Sequence, residues 1–224
     1  VTLGAISMHG VRRSNLSLGD YCAVYGTGIL GLISIQILRN IGVRVIAIDI
    51  DDRRLDIAKK LGAEIIINSL KDNPIDKVLN FTKNFGVDTV LFSANVDSNE
   101  PLSQAFKMCR RKGKVVMLGK AKLDINRNDI YPKELDLLTS TSYGPGRYDD
   151  VYEKKGIDYP YSYVRWTEKR NLEEYLRLIS IDKLSLNDLI EKEYPIKKAN
   201  EAFREIQLKS YKPLIVLLKY NFSD

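Results

Sequence analysis

The 224-residue chain has one histidine, two cysteines and one tryptophan, and each scarcity excludes something. With His9 alone, neither a Ser/His/Asp relay nor a histidine-rich metal centre is available. No CxxC or HExxH stretch occurs, so the chain is expected to hold no zinc. His9 is read as a surface or packing residue on the first helix. Cys22, in an expected core strand, and Cys109, near the end of an expected helix, make no disulfide framework, and a reducing, cytoplasmic setting fits best. No apolar run reaches the roughly 18 to 20 residues of a membrane span, so no membrane partner is expected. Basic residues outnumber acidic ones 35 to 29, a net charge of +6. They come as short groups such as Arg12-Arg13, Lys59-Lys60 and Arg110-Arg111-Lys112. Most have acidic neighbours or sit at expected helix ends, where cations complement the helix dipole. That pattern describes a solvated surface rather than a nucleic-acid face.

What the chain does have is alternation. Short apolar runs at Tyr21–Tyr25, Val43–Ile48, Glu64–Ile67, Val87–Phe92, Lys114–Leu118 and Leu135–Ser140 read as strands. Helical spacing intervenes at Ile29–Asn40, Asp52–Leu61, Pro74–Asn84 and Leu102–Arg110. Strands rich in Val, Ile and Leu that alternate with helices imply an α/β fold, a doubly wound parallel sheet of the Rossmann kind. From Gly144 to Asn171 the texture becomes dense in Tyr, Gly and Pro, an irregular insertion. Helical spacing returns at Thr167–Ile179. A strand at Leu189–Tyr194, a helix at Lys197–Gln207 with Ala199, Ala202, Phe203 and Ile206 on one face, and a strand at Leu214–Leu218 follow. The expected division is 1–188 for the sheet domain and 189–224 for a helix–strand return segment.

Gly26-Thr27-Gly28-Ile29-Leu30-Gly31 matches GxGxxG between a strand and a helix, the setting that gives this pattern meaning. Gly26 permits the tight turn, Gly28 leaves room for a pyrophosphate, and Gly31 lets helix and strand approach closely. The amides of Thr27 to Leu30 then face the phosphates from a helix N-terminus. Asp49, with Ile50 beside it, ends the second strand 18 residues beyond Gly31. A carboxylate there is suited to a ribose diol and repels a 2′-phosphate, which favours NAD over NADP. Arg53 and Arg54 argue the other way, because guanidinium groups accept phosphate. Ligands lie outside the carboxyl ends of such strands. Ser93 and Ala94, Leu118 and Gly119, and Ser142 and Tyr143 are therefore expected to line the crevice.

The stretch from Asp49 through Arg54 to Ala58-Lys59-Lys60-Leu61-Gly62-Ala63 resembles the medium-chain, alcohol-dehydrogenase-like dehydrogenase/reductase superfamily. So does the Gly19-Asp20 pair before the first strand, with a small-residue helix ahead of it. The resemblance covers nearly the whole chain and implies a nicotinamide cofactor, with Arg54 as the basic residue near the adenosine. It also implies that 189–224 belongs to a GroES-like catalytic domain. Ser142-Tyr143-Gly144-Pro145-Gly146-Arg147-Tyr148-Asp149, Asp158-Tyr159-Pro160 and Tyr163-Val164-Arg165-Trp166-Thr167-Glu168 resemble, more narrowly, bi-domain oxidoreductases of polysaccharide-biosynthesis clusters. On that reading, and because the chain opens Val1-Thr2, it is taken as a fragment of a larger protein, not active alone. A catalytic GroES-like domain would precede it and a further domain would follow.

Arg147, Tyr148 and Arg165 leave three readings open: a platform for an anionic, sugar-bearing substrate, a loop pinned by its own Tyr and Arg contacts, or a protein interface. The function class also stays open. One is the NAD-binding part of an oxidoreductase acting on an alcohol or sugar. Another is a dinucleotide-binding module without turnover. A third, a structural or assembly domain, would need the dinucleotide crevice to be blocked. The expected partners are a nicotinamide dinucleotide, a small alcohol or sugar and, in a homo-oligomer, further copies of the chain.

Overall fold

Six of the expected strands form one sheet, all parallel, in the order β3-β2-β1-β4-β5-β6. They are β1 (Tyr21–Tyr25), β2 (Arg44–Asp49), β3 (Ile65–Asn68), β4 (Val87–Phe92), β5 (Cys109–Met117) and β6 (Asp136–Thr139). Between them run α2 (Ile29–Asn40), α3 (Asp52–Leu61), α4 (Pro74–Phe81), α5 (Glu100–Met108) and the short α6 (Arg127–Ile130), after an opening helix α1 (Thr2–Ser14). This is the doubly wound arrangement, with the strand order reversing direction beside β1. In this computed structural model residues 1–207 and 213–220 are described. They fall into two units, Val1–Leu184 and Ser185–Asp224. No helix among the described residues is long and apolar enough to cross a membrane.

Register explains why loops converge at one edge of the sheet. Tyr25 lies level with Ile48 on one side and Phe92 on the other, and Phe92 lies level with Met117. The segments after β1, β2, β4 and β5 therefore leave the sheet together. Beneath them, Ile46, Ile48, Val90, Phe92 and Val115 are fully buried, as strands covered on both faces require. Phe92 also stacks on Tyr25 at 5.4 Å. Helix α1 lies against α2, and two of its glycines make room for side chains from later in the chain. A Cβ on Gly4 would meet the Tyr175 ring at 2.2 Å, and one on Gly10 would meet Leu118 at 2.5 Å.

Three boundaries differ from the sequence expectation. Helix α5 stops at Met108, and Cys109 and Arg110 begin β5, with Cys109 level with Val87. The Lys133 ammonium closes the end of α5 by donating to the carbonyls of Lys107 at 2.6 Å and Cys109 at 2.8 Å, a tertiary cap that periodicity does not show. Helix α4 ends at Phe81 because Lys83 and Asn84 adopt left-handed backbone. The 144–171 segment is not wholly irregular. It contains α7 (Asp150–Lys155), capped by Asp149 through the amides of Val151 and Tyr152. Helix α8 (Glu168–Ser180) follows, its N-cap Thr167 accepting from the Arg170 amide.

In the second unit, β7 (Ile190–Pro195) and β8 (Ile215–Lys219) pair in parallel, with α9 (Ala199–Gln207) connecting them. Of the apolar face expected on α9, Ala202 is buried, whereas Phe203 is 60% and Ile206 43% exposed.

Candidate functional site: the glycine turn and its rim

The chain leaves β1 at Gly26 with φ +95°, a conformation that favours glycine. A Cβ there would also stand 2.5 Å from the Ala94 amide nitrogen. Gly31 is constrained by contact instead, since its Cβ would lie 2.0 Å from the Gly26 carbonyl oxygen and 2.9 Å from Ser93 Oγ. Ser93 Oγ donates to that same carbonyl at 2.5 Å, joining the β4 loop to the turn. Gly28 differs from both. Its φ of −68° suits any residue, and nothing lies within 4 Å of where its Cβ would stand. Gly28 is also the N-cap of α2 and supplies no side-chain acceptor. No side-chain oxygen of the cap residue therefore meets the first amides of this 12-residue helix.

Asp49 is 8% exposed and does more inside the protein than the sequence suggested. One carboxylate oxygen accepts from the Thr27 amide at 2.6 Å and the Thr27 hydroxyl at 2.9 Å. The other accepts from the amides of Ile50 at 2.7 Å and Asp51 at 3.1 Å. Four donors fill a carboxylate's ordinary capacity. The Thr27 amide, expected to face a phosphate, is thus committed to Asp49, and the free donors begin beyond it. Thr27 itself is fully buried. Asp51, not Asp49, caps α3 through the amides of Arg53 and Arg54. Arg54 lies beside the Asp51 carboxylate, 3.5 Å from Nε, while Ile50 is 61% exposed at the rim.

The loops after β4 and β5 are tied to the ends of the neighbouring strands. The amides of Ser93 and Ala94 donate to the Tyr25 carbonyl at 2.8 and 3.0 Å, and those of Leu118 and Gly119 donate to the Phe92 carbonyl at 2.8 and 2.9 Å. A Cβ on Gly119 would lie 2.0 Å from the Ala94 carbonyl oxygen, so the two loops touch. Leu118 turns its side chain away, onto Gly10 of α1. After β6, Ser142 adopts left-handed backbone at φ 49° and Tyr143 is half-buried. The Tyr143 carbonyl accepts from Asn171 Nδ2 at 2.8 Å, while Asn171 Oδ1 accepts from Arg12 Nε at 2.9 Å. Asn171 is fully buried and pins the loop to α1 and α8. Asn171 belongs to the motif that carries the narrower resemblance, but its bonding role was not legible there, because an asparagine inside a helix gains this role only through distant partners. His9 packs against Gly144, whose Cβ would stand 2.9 Å from Nδ1. Burial first, then Arg13 and Arg12, lower its pKa to about 4.

Much of the Tyr/Arg segment is bonded to itself. Arg147 pairs with Glu153 and lies over the Tyr148 ring at 4.3 Å. Arg170 reaches Asp158 at 2.7 Å, the Tyr159 carbonyl at 3.0 Å and the Val164 carbonyl. Tyr152 stacks on Tyr159, whose hydroxyl donates to Asp149. Arg165 is the exception, with no carboxylate partner among the described residues and its guanidinium on Trp166. No group of three or more His, Cys, Asp or Glu among the described residues is arranged to hold a metal ion. Burial pushes the Cys22 and Cys109 thiols up, so both stay protonated.

Comparison with known proteins agrees with this architecture. Residues 30–155 match the family described as zinc-binding dehydrogenase. The D-arabitol-phosphate dehydrogenase of Enterococcus avium is 26% identical over 200 residues, covering 87% of this chain and 49% of that protein. Galactitol-1-phosphate dehydrogenase from Escherichia coli shares the fold with a TM-score of 0.77 at 22% identity, over 97% of this chain and 58% of that one. A protein of Sinorhizobium meliloti 1021, described as a zinc-binding dehydrogenase and solved with NADP, superposes with a TM-score of 0.76 at 20% identity, over 97% of this chain and 58% of that one. The chain therefore spans about half the length of the proteins it resembles. With more than half of its residues matched and the strand order in place, the chain belongs to the zinc-binding dehydrogenase family of alcohol-dehydrogenase-like proteins.

Proposed function

We propose that this chain is the cofactor-binding part of a nicotinamide-dependent oxidoreductase acting on an alcohol or sugar alcohol, and that the Gly26–Gly31 turn holds the dinucleotide. The observation that carries the reading is Gly28, a glycine that neither backbone conformation nor protein contact requires. It stands over open space at an uncapped helix N-terminus, and a Cβ would fill room that a pyrophosphate needs. The amides of Ile29, Leu30 and Gly31 are the donors, strengthened by the α2 dipole.

The bound nicotinamide would give or take the hydride. The chain's own part is placement. Asp49, with its four hydrogen-bond sites taken inside the protein, holds the turn in shape through Thr27 and keeps a negative charge beside Ile50 where the adenosine ribose would lie, with Arg54 adjacent. Ser93, Ala94 and Gly119, together with the Leu118 backbone, Ser142 and Tyr143, bound the rest of the crevice. NAD is favoured over NADP because a buried anion at the ribose repels a 2′-phosphate. Residues 189–224 are assigned to a catalytic domain supplied mostly by other sequence. The wider setting is a bi-domain enzyme of polysaccharide biosynthesis, on the strength of the 142–171 motif.

Calorimetric titration with NAD and NADP, beside an Asp49→Ala variant, tests this. Expected are saturable NAD binding, NADP at least tenfold weaker, and loss of NAD affinity in the variant. Binding of neither cofactor overturns the proposal, and tighter NADP overturns the assignment of Asp49.

A further inference from the structure

The lone tryptophan marks a second cavity. Trp166 is bracketed by two guanidinium groups, Arg12 with its central carbon 3.3 Å from the ring centroid and Arg165 at 3.8 Å. Two such groups this close cannot share a face without overlapping, so they take opposite faces of the indole. On the Arg12 side lies a cavity of about 590 Å³. That is within the range of about 300 to 1,000 Å³ typical of small-molecule sites. Val11, Ile37, Ile41 and Leu178 form its apolar wall, and Arg12 and Arg177 stand at its edge.

The charges do not cancel. Glu174 is the one carboxylate of the lining, and both its oxygens are bound by Arg177 at 2.7 Å. Among the described residues Arg12 has no carboxylate within ion-pair distance, and its side chain donates to the neutral Asn171. Burial lowers its pKa to about 10, opposed by Glu174 and reinforced by Arg165. A half-buried guanidinium that has lost water and gained an aromatic face, one amide oxygen and the distant charge of Glu174 is under-compensated. The cavity is also remote from the glycine turn. Its floor includes Asn15, Leu16, Asn40 and Ile41, which precede β1 and β2. The turn lies at the other ends of those strands, about 18 Å away along the 12 residues of α2.

We propose that this cavity binds a small amphipathic monoanion, a carboxylate or phosphate ester on an apolar body, with the acid group on Arg12 and the body against Val11, Ile37, Ile41 and Leu178. Charge complementarity selects the anion, because Arg12, which lines the cavity, has no carboxylate partner among the described residues. The apolar wall selects a body that a bare inorganic ion does not have. The site is independent of the dinucleotide crevice and stands whether or not the turn binds NAD.

Trp166 reports on the cavity directly, since the chain has no other tryptophan. The probes are 4-phenylbutyrate, its neutral counterpart 4-phenylbutanol, and inorganic phosphate. They are followed by Trp166 emission and by calorimetry, with and without saturating NAD. Expected is a saturable response to 4-phenylbutyrate at submillimolar concentration, at least tenfold weaker binding of the other two, and a dissociation constant unchanged by NAD. Arg12→Met raises that constant at least tenfold while 4-phenylbutanol binding is retained. Ile41→Glu, at a position 42% exposed and so tolerant of a charge, abolishes binding and serves if the Arg12 variant does not fold. Equal affinity for acid and alcohol, displacement by NAD, an unaffected Arg12→Met variant, or no saturable binding by the folded wild type would each overturn the proposal.

Discussion

Two glycines three residues apart should fail in opposite ways. In Gly31→Ala the new methyl meets the Gly26 carbonyl oxygen at 2.0 Å, against an ordinary C···O approach of about 3.3 Å. The start of α2 must move by about 1.3 Å, the difference between these distances. Overpacking of this kind costs about 1–3 kcal/mol. Displacing the Ser93 hydroxyl, which sits 2.9 Å from the new atom and bonds Gly26 at 2.5 Å, adds about 1 kcal/mol. Better helix propensity returns about 0.5–1 kcal/mol. The net loss is about 1–3.5 kcal/mol, a fall in Tm of roughly 2–14 °C for a domain of this size. Gly28→Ala places its methyl in open space at φ −68°, so Tm should stay within about 2 °C. Its NAD affinity should fall at least tenfold, about 1.4 kcal/mol. Thermal unfolding and calorimetry of both variants provide the check. The reasoning is refuted if Gly28→Ala melts as early as Gly31→Ala, or if it binds NAD like the wild type.

Asp49→Asn replaces an acceptor facing the Thr27 amide with a donor, and should destabilise the protein by about 2–3 kcal/mol in urea unfolding. A loss below about 0.5 kcal/mol would show that the turn does not depend on this carboxylate. His9 is the pH prediction. Its folded pKa of about 4 lies below the ordinary 6.5, so the folded state disfavours the charged ring. Stability is full above pH 6.5 and falls as pH drops toward 4, by an order of 1–2 kcal/mol for a partly solvated group. His9→Gln should flatten that part of the urea-midpoint profile, and an unchanged slope sinks the assignment. Arg170→Met removes three anchors of the 158–164 loop and should cost about 2–3 kcal/mol without altering NAD affinity.

The sheet was legible because its causes are local. Apolar runs of strand length punctuated by helical spacing make alternating elements, and the handedness of crossovers leaves few ways to order them. Gly26 and Gly31 were legible too, since a strand-to-helix turn that must pass close to a neighbour needs glycine at those spacings. Asp49 was only half read. Its place at the end of β2 follows from the sequence, but its four donors come from two loops that meet only when β1 and β2 lie level. Cys109 was misassigned because the α5 stop comes from Lys133, 24 residues on, which no local window contains.

The Tyr/Arg segment shows the same division. Composition marked Arg147, Tyr148 and Arg165 as an unusual cluster and could not choose among substrate platform, pinned loop and interface. Tertiary contacts sort them, committing Arg147 to Glu153 and leaving Arg165 stacked on Trp166 opposite Arg12. Sequence alone determined the alternating strands and helices of the sheet and the turn between β1 and α2, because propensity, periodicity and glycine placement act within a few residues. Which charges are spent and which remain available was decided only by folding, because a charge is neutralised by whatever lies near it in space, and Arg12 and Trp166 meet across more than 150 residues of chain.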